Sequence, residues 1–173
     1  MERDDVRVLS VLVTWLGVHH ARINADRLAR LVTQFQSARV HAFWAAVAHW
    51  LHKDRRFTKL RVCHRGTRVD LLRTGTEFHV KRHGEDPRFA NGPLCVPGNM
   101  LRDRANDVAT PEELAKRHAT YRYRVLMGPS YRADMWAELE RNAQISAAEL
   151  ARRAYGSFAT AWDVKKDWSV LAV

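Results

Sequence analysis

Four groups of residues have the types and spacing that chemistry needs. His49 and His52 stand three apart in an apolar, helix-like run, close enough for two imidazoles to share a face. Zinc hydrolase helices instead place two histidines four apart around a glutamate, and no glutamate is here. Asp70, Glu77, His79 and Lys81 fall in strand-like segments. Paired carboxylates can hold Mg²⁺ while a lysine assists the attacking water, so Asp70, Glu77 and Lys81 would serve a Mg²⁺-dependent nuclease. The Glu-x-Lys spacing is missing, because His79 occupies the lysine position. Gly156-Ser157 could open a nucleotidyl-transfer site, but Asp163 and Asp167 lie four apart and do not make its Asp-x-Asp metal pair. The fourth group is the dense set of arginines and lysines between Arg39 and Arg73. With no Gly-rich phosphate loop and no Ser, His and Asp arrangement, no catalytic residue, metal or cofactor is assigned, and a non-enzymatic role is expected.

The cations carry the most information. The 173 residues hold 29 Lys and Arg against 19 Asp and Glu, a net charge of +10. Residues 1–83 hold 16 against 7, whereas residues 84–173 hold 13 against 12. Eight of the nine histidines, all but His118, also lie in the first half and would add charge as pH falls. Such a surface attracts polyanions, of which nucleic acid is the commonest soluble one. DNA is expected ahead of RNA, with a homodimer and a protein partner as further expectations. Hydrophobic content of 46% with six Trp and six Phe argues against disorder. The longest apolar stretch, Val8 to Val18, is too short for a membrane span, and Met1-Glu2-Arg3-Asp4-Asp5 is acidic where a secretory signal would be basic. A cytoplasmic protein with no membrane partner is expected. Cys63 and Cys95 form no CxxC pair and read as free, buried thiols.

The elements that must position these groups are mainly helical. Apolar residues recur at helical spacing from Val6 to Val18, then from an Asn24 cap through Leu28, Leu31, Val32 and Phe35, then from a Ser37 cap to about Lys53. After Asp54-Arg55-Arg56 the period changes to two. Leu60, Val62 and His64 alternate, Arg65-Gly66-Thr67 turns, and Val69 to Leu72 returns, which predicts an antiparallel hairpin; Thr76 to Arg82 would supply a third strand. The Pro- and Gly-rich residues 84–109 read as a connection, with Leu94-Cys95-Val96 a short strand at most. Thr110-Pro111-x-Glu113 opens a helix to about Met127, and another runs through Met135, Trp136 and Leu139. Ser146 and Glu149 form a second capping box, Tyr155-Gly156-Ser157 turns, and a last helix packs through Phe158, Ala161, Trp162, Val164 and Trp168. The expected fold is mainly α with a small antiparallel hairpin. It divides into a basic winged-helix-like domain (1–83), the connection (84–109) and a helical domain (110–173) with a helix-turn-helix-like segment at 146–170.

Ser146 to Trp168 resembles the helix-turn-helix of bacterial transcription regulators. A small Ala151 lets two helices approach, Gly156 absorbs the turn, and Ala161 and Val164 seat the second helix. The glycine stands one residue later than usual, and Asp163 and Asp167 cancel the charge of Lys165 and Lys166. On this resemblance Ser157, Ala159, Thr160 and Lys166 face a groove, and Arg152, Arg153 and Lys165 lie near phosphates. Three helices and a hairpin over Val6 to Leu72 also follow the order of a winged helix. The third helix would offer Arg39, His41 and Lys53 to the major groove, and the wing would offer Arg55, Arg56, Lys59, Arg61, Arg65, Arg68 and Arg73 to the backbone. Over about the first 75 and the last 30 residues the chain is thus similar to winged-helix regulators, and loosely to the antitoxins of type IV toxin–antitoxin systems. The resemblance implies promoter binding as a dimer and, in the antitoxin case, neutralisation of a protein partner. The alternative is a helical protein that binds another protein through a Trp-rich surface.

Overall fold

The computed structural model describes residues 3–171. Helix α1 (Arg3–His19) buries Val13 and Leu16 completely. Helix α2 (Ala25–Gln34) starts where Asn24 Oδ1 accepts the Arg27 N–H at 3.1 Å, and α3 (Ala38–Trp50) starts where Ser37 Oγ accepts the Val40 N–H. An alanine-rich face lets α3 lie deep in the core, with Ala42, Phe43 and Ala45 to Ala48 all buried. The chain then forms α4 (Thr58–Arg61), β1 (Val69–Asp70), α5 (Thr76–His83), β2 (Leu94–Cys95), α6 (Pro111–Arg117), α7 (Ala119–Met127), α8 (Tyr131–Arg141), α9 (Ala147–Ala154) and α10 (Phe158–Leu171). The described residues are therefore mainly helical, with one two-stranded sheet, and none of their helices is long and apolar enough to cross a membrane.

The antiparallel hairpin does not form. Phe57 and Leu60, three apart, are both almost fully buried, so this segment closes as a helical turn and α4 instead of alternating across a strand. The sheet is parallel: β1 pairs with β2, Val69 opposite Leu94 and Asp70 opposite Cys95. The expected third strand is helix α5. Gly75 and Gly84, both at positive φ, bracket it, Glu77 sits in its first turn, and Lys81, Arg82 and His83 sit in its last. These charges complement the helix dipole, and eight residues of helix outweigh the local Phe78 and Val80 alternation.

The chain divides into two compact units. The first holds the described residues up to Gly17 together with Leu28–Val108; the second holds Val18–Arg27 and the described residues from Ala109 onward. The first unit thus runs on past residue 83 to Val108, while Val18–Arg27 go with the second. Residues 84–108 belong to the core of the first unit, where Phe89, Leu94, Val96 and Leu101 are buried and Arg88 ties Asp86 to the Leu101 carbonyl. In this stretch Gly98 passes so close to the His83 carbonyl that a Cβ could not fit. Cys95 is buried and Cys63 is half-buried; both are free thiols, pushed above their ordinary pKa by burial.

In the second unit the single helix expected from Thr110 to Met127 breaks at His118 (φ −127°, ψ 108°) into α6 and α7. The Thr110 capping box is complete: Thr110 Oγ1 accepts the Glu113 N–H, and Glu113 Oε2 accepts the Thr110 N–H. Met135, Trp136, Leu139, Ile145, Leu150, Ala151, Ala154, Ala161 and Val164 form one core between α8, α9 and α10.

Candidate nucleic-acid interface

Helices α8, α9 and α10 form a three-helix arrangement whose starts and stops are set by short-range chemistry. Ser130 Oγ accepts the Ala133 N–H to open α8, and Ser146 Oγ accepts the Glu149 N–H to open α9. The second half of the expected Ser146 box is replaced. Glu149 turns its carboxylate to Arg152 (2.7 and 2.6 Å) and Arg153 (2.7 Å), and these charge-assisted hydrogen bonds hold it at a pKa of about 2.

The turn uses two residues for two purposes. Tyr155 takes the left-handed conformation (φ 58°, ψ 25°), a position usually given to glycine. Gly156 donates to the Ala151 carbonyl at 2.9 Å and passes so close to α8 that a Cβ there would strike Met135 Cε. A side chain at this position would need the buried Met135 methyl to shift, while the turn itself is absorbed one residue earlier than expected. The Arg27 guanidinium lies over the face of the Tyr155 ring, 5.0 Å from its centre. Arg27 also donates to Asp134 Oδ2 at 3.1 Å. Asp134 is buried and receives Asn24 Nδ2 (3.2 Å) and Arg124 Nε (2.7 Å) as well, so one carboxylate joins α7, α8 and the start of α2.

Helix α10 then presents its residues differently from expectation. Ser157 Oγ accepts the Thr160 N–H at 3.1 Å and lies 2.8 Å from Thr160 Oγ1, so these two hydroxyls serve the cap. Ala161 and Val164 face inward, and Trp168 packs on the core. Phe158 (57% exposed) and Trp162 (61%) do not; their rings stack 6.4 Å apart at 26° on the outer face, beside exposed Ala159, Asp163 and Lys166. Their i, i+4 spacing suits either face, and only the position of the α8–α9 core decides between them. Lys165 reaches back to the Ile145 carbonyl, and Asp167 pairs with Arg132 at 2.7 Å. Asp167 is thereby neutralised, leaving Lys166 as the long cation of the outer face.

Three of the seven cations expected on the wing, Arg56, Arg61 and Arg68, are engaged within the first unit, as are Arg39 and His41 of the third helix. Arg39 donates to the Asp70 and Leu71 carbonyls (2.9 and 3.2 Å), and His41 Nε2 donates to the Val32 carbonyl. Arg61 closes the end of α3 through the Ala48 and His52 carbonyls (3.2 and 3.0 Å). Arg68 makes a two-pronged pair with Glu85 (2.8 and 2.6 Å) and donates to the Gly92 carbonyl, and Arg56 folds back on Asp54. Arg55, Lys59, Arg65 and Arg73 are exposed. Arg152 and Arg153 are paired with Glu149, as above, but at solvent-exposed positions where such pairs are weak and exchange readily.

The other chemical groupings lie on different elements from those expected. His52 lies beyond the end of α3, so His49 and His52 do not share a helix face. Asp70 lies on β1, whereas Glu77 and Lys81 lie on α5 and not on a strand. Among the described residues no three His, Cys, Asp or Glu side chains group as metal ligands. An apolar cleft of about 260 Å³ in the first unit is lined by Leu9, Leu12, Val40, Phe43, Trp44 and Leu94. Comparisons with family profiles, curated proteins and solved structures give no match.

Proposed function

We propose that the chain is a non-enzymatic, sequence-specific duplex-DNA-binding protein of the transcription-regulator kind, with α10 as the helix that reads the major groove. One observation carries this reading. Helices α8 and α9 form a capped, tightly turned platform that leaves the outer face of α10 uncovered, with Lys166 on it and Arg152 and Arg153 at its approach. A helix held this way fits a groove about 12 Å wide, and the arginines beside it meet phosphates. The first unit adds long-range attraction rather than a wing, holding 17 Lys and Arg against 10 Asp and Glu. Promoter binding as a homodimer, with capture of a protein partner as in antitoxins, belongs to the same proposal.

Fluorescence anisotropy of the full chain on a labelled duplex across a salt series tests it. Affinity should fall steeply with salt, and Lys166→Ala should reduce the log–log slope by about 1. Binding that is absent at low salt, or indifferent to salt, would remove the reading. A second reading, a protein-interaction module, is favoured by the apolar cleft between α1 and α3. It predicts that the chain co-purifies with a protein partner and is not retained on heparin.

A further inference from the structure

The outer face of α10 has an unusual chemistry for a reading helix. From Phe158 to Leu171 it contains no Arg, Asn or Gln, and of the side chains that contact guanine or adenine edges from the major groove it holds only lysines, of which Lys165 is turned back to the Ile145 carbonyl. It carries instead a flat apolar plate, Phe158 and Trp162 stacked at 6.4 Å, with the small Ala159 beside it and Lys166 one turn further on. Leaving two large aromatic rings more than half exposed is unfavourable unless something apolar covers them. In a duplex, the apolar group presented by the major groove is the thymine 5-methyl. We infer that this plate selects sites with neighbouring thymines, packing their methyl groups against Phe158 and Trp162, while Lys166 holds the adjacent phosphate or guanine edge and Asp163 disfavours phosphate at its own position. The inference rests on the DNA-binding reading above and adds the chemistry of the site that α10 prefers.

The test uses the full chain. Sites are enriched from a randomised duplex pool, and the tightest is resynthesised with dU in place of dT, which removes only the methyl groups. Affinity should fall roughly fourfold for each methyl covered. Trp162→Ala should abolish the dT-to-dU difference while helical content and melting temperature stay as they are, because the ring contributes little to the core. Equal binding of the dT and dU duplexes by the unmodified chain would overturn the inference and leave the DNA reading standing. So would a Trp162→Ala chain that keeps the full difference, or one that changes only from dimer to monomer, since the plate would then pair two chains. Failure to enrich any site would remove the DNA reading itself.

Discussion

Asp134 and His19 are the two buried polar groups on which the second unit most depends. Asp134 receives Arg27, Arg124 and Asn24, and removing it would take away their shared acceptor and leave two guanidinium groups facing each other, Arg124 keeping only a long hydrogen bond to the Arg22 carbonyl. Breaking a buried ion pair from one side costs about 3–5 kcal/mol. Asp134→Ala should show that loss as a lower urea midpoint. His19 is buried between the Tyr121 hydroxyl (2.8 Å) and the Ala109 carbonyl (3.0 Å). The carbonyl can only accept, so Nε2 carries the proton and Nδ1 accepts from Tyr121. Burial lowers the His19 pKa below its ordinary 6.5, although the Ala109 hydrogen bond opposes this. The unfolded chain then takes up a proton more readily than the folded one. Stability from this residue is intact above about pH 6.5 and is lost as pH falls below it. Urea unfolding of the native chain and of His19→Gln, compared at about pH 7.5 and about pH 5.5, should show a steeper acid loss in the native chain.

At the scale of elements, the tight passage between α9 and α10 depends on Gly156. Gly156→Ala should destabilise by roughly 1–3 kcal/mol through overpacking against Met135. In a double-mutant cycle, Gly156→Ala with Met135→Ala should cost less than the two changes summed, because the truncated side chain vacates the space the new methyl needs. Equal additivity would show that the turn relaxes elsewhere. Helix α3 is closed at its C-terminal end by Arg61, and the stretch after β1 is clamped by Arg68 to Glu85 and Gly92. Arg61→Ala should cost about 1 kcal/mol or more in thermal denaturation, the usual contribution of a charge-assisted hydrogen bond to the backbone. These arginines were expected to touch phosphate, and a structural role makes the opposite forecast. Arg61→Ala and Arg68→Ala should lower the melting temperature while leaving the salt slope of DNA binding unchanged.

For the whole molecule, the excess of positive charge is long-ranged and survives this rearrangement. The loss of Arg55, Arg65 and Arg73 together, all exposed on the first unit, should slow association and flatten its salt dependence, with little effect on melting. Much of the local order was legible beforehand: the caps at Asn24, Ser37, Thr110, Ser146 and Ser157, the turn at Tyr155-Gly156, and the helices they open. Each of these depends on hydrogen bonds and φ, ψ preferences spanning only a few residues, which the sequence by itself determines. The overall charge and the absence of a long apolar span were determined in the same way. What only the tertiary structure decided was where non-local partners lie. Leu60 to His64, Val69 to Leu72 and Thr76 to Arg82 have the pattern of strands, yet Phe57 and Leu60 turn together into the core and β1 finds a partner in β2, some 25 residues away. Arg39, Arg61 and Arg68 are identical in type to the exposed arginines beside them and differ only in having carbonyls or a carboxylate within reach. Phe158 and Trp162 carry the same apolar character as Trp168, and they became an outer plate because α8 and α9 occupy the other side of α10. Burial is a property of the whole packing and not of the side chain, so no local pattern could assign it.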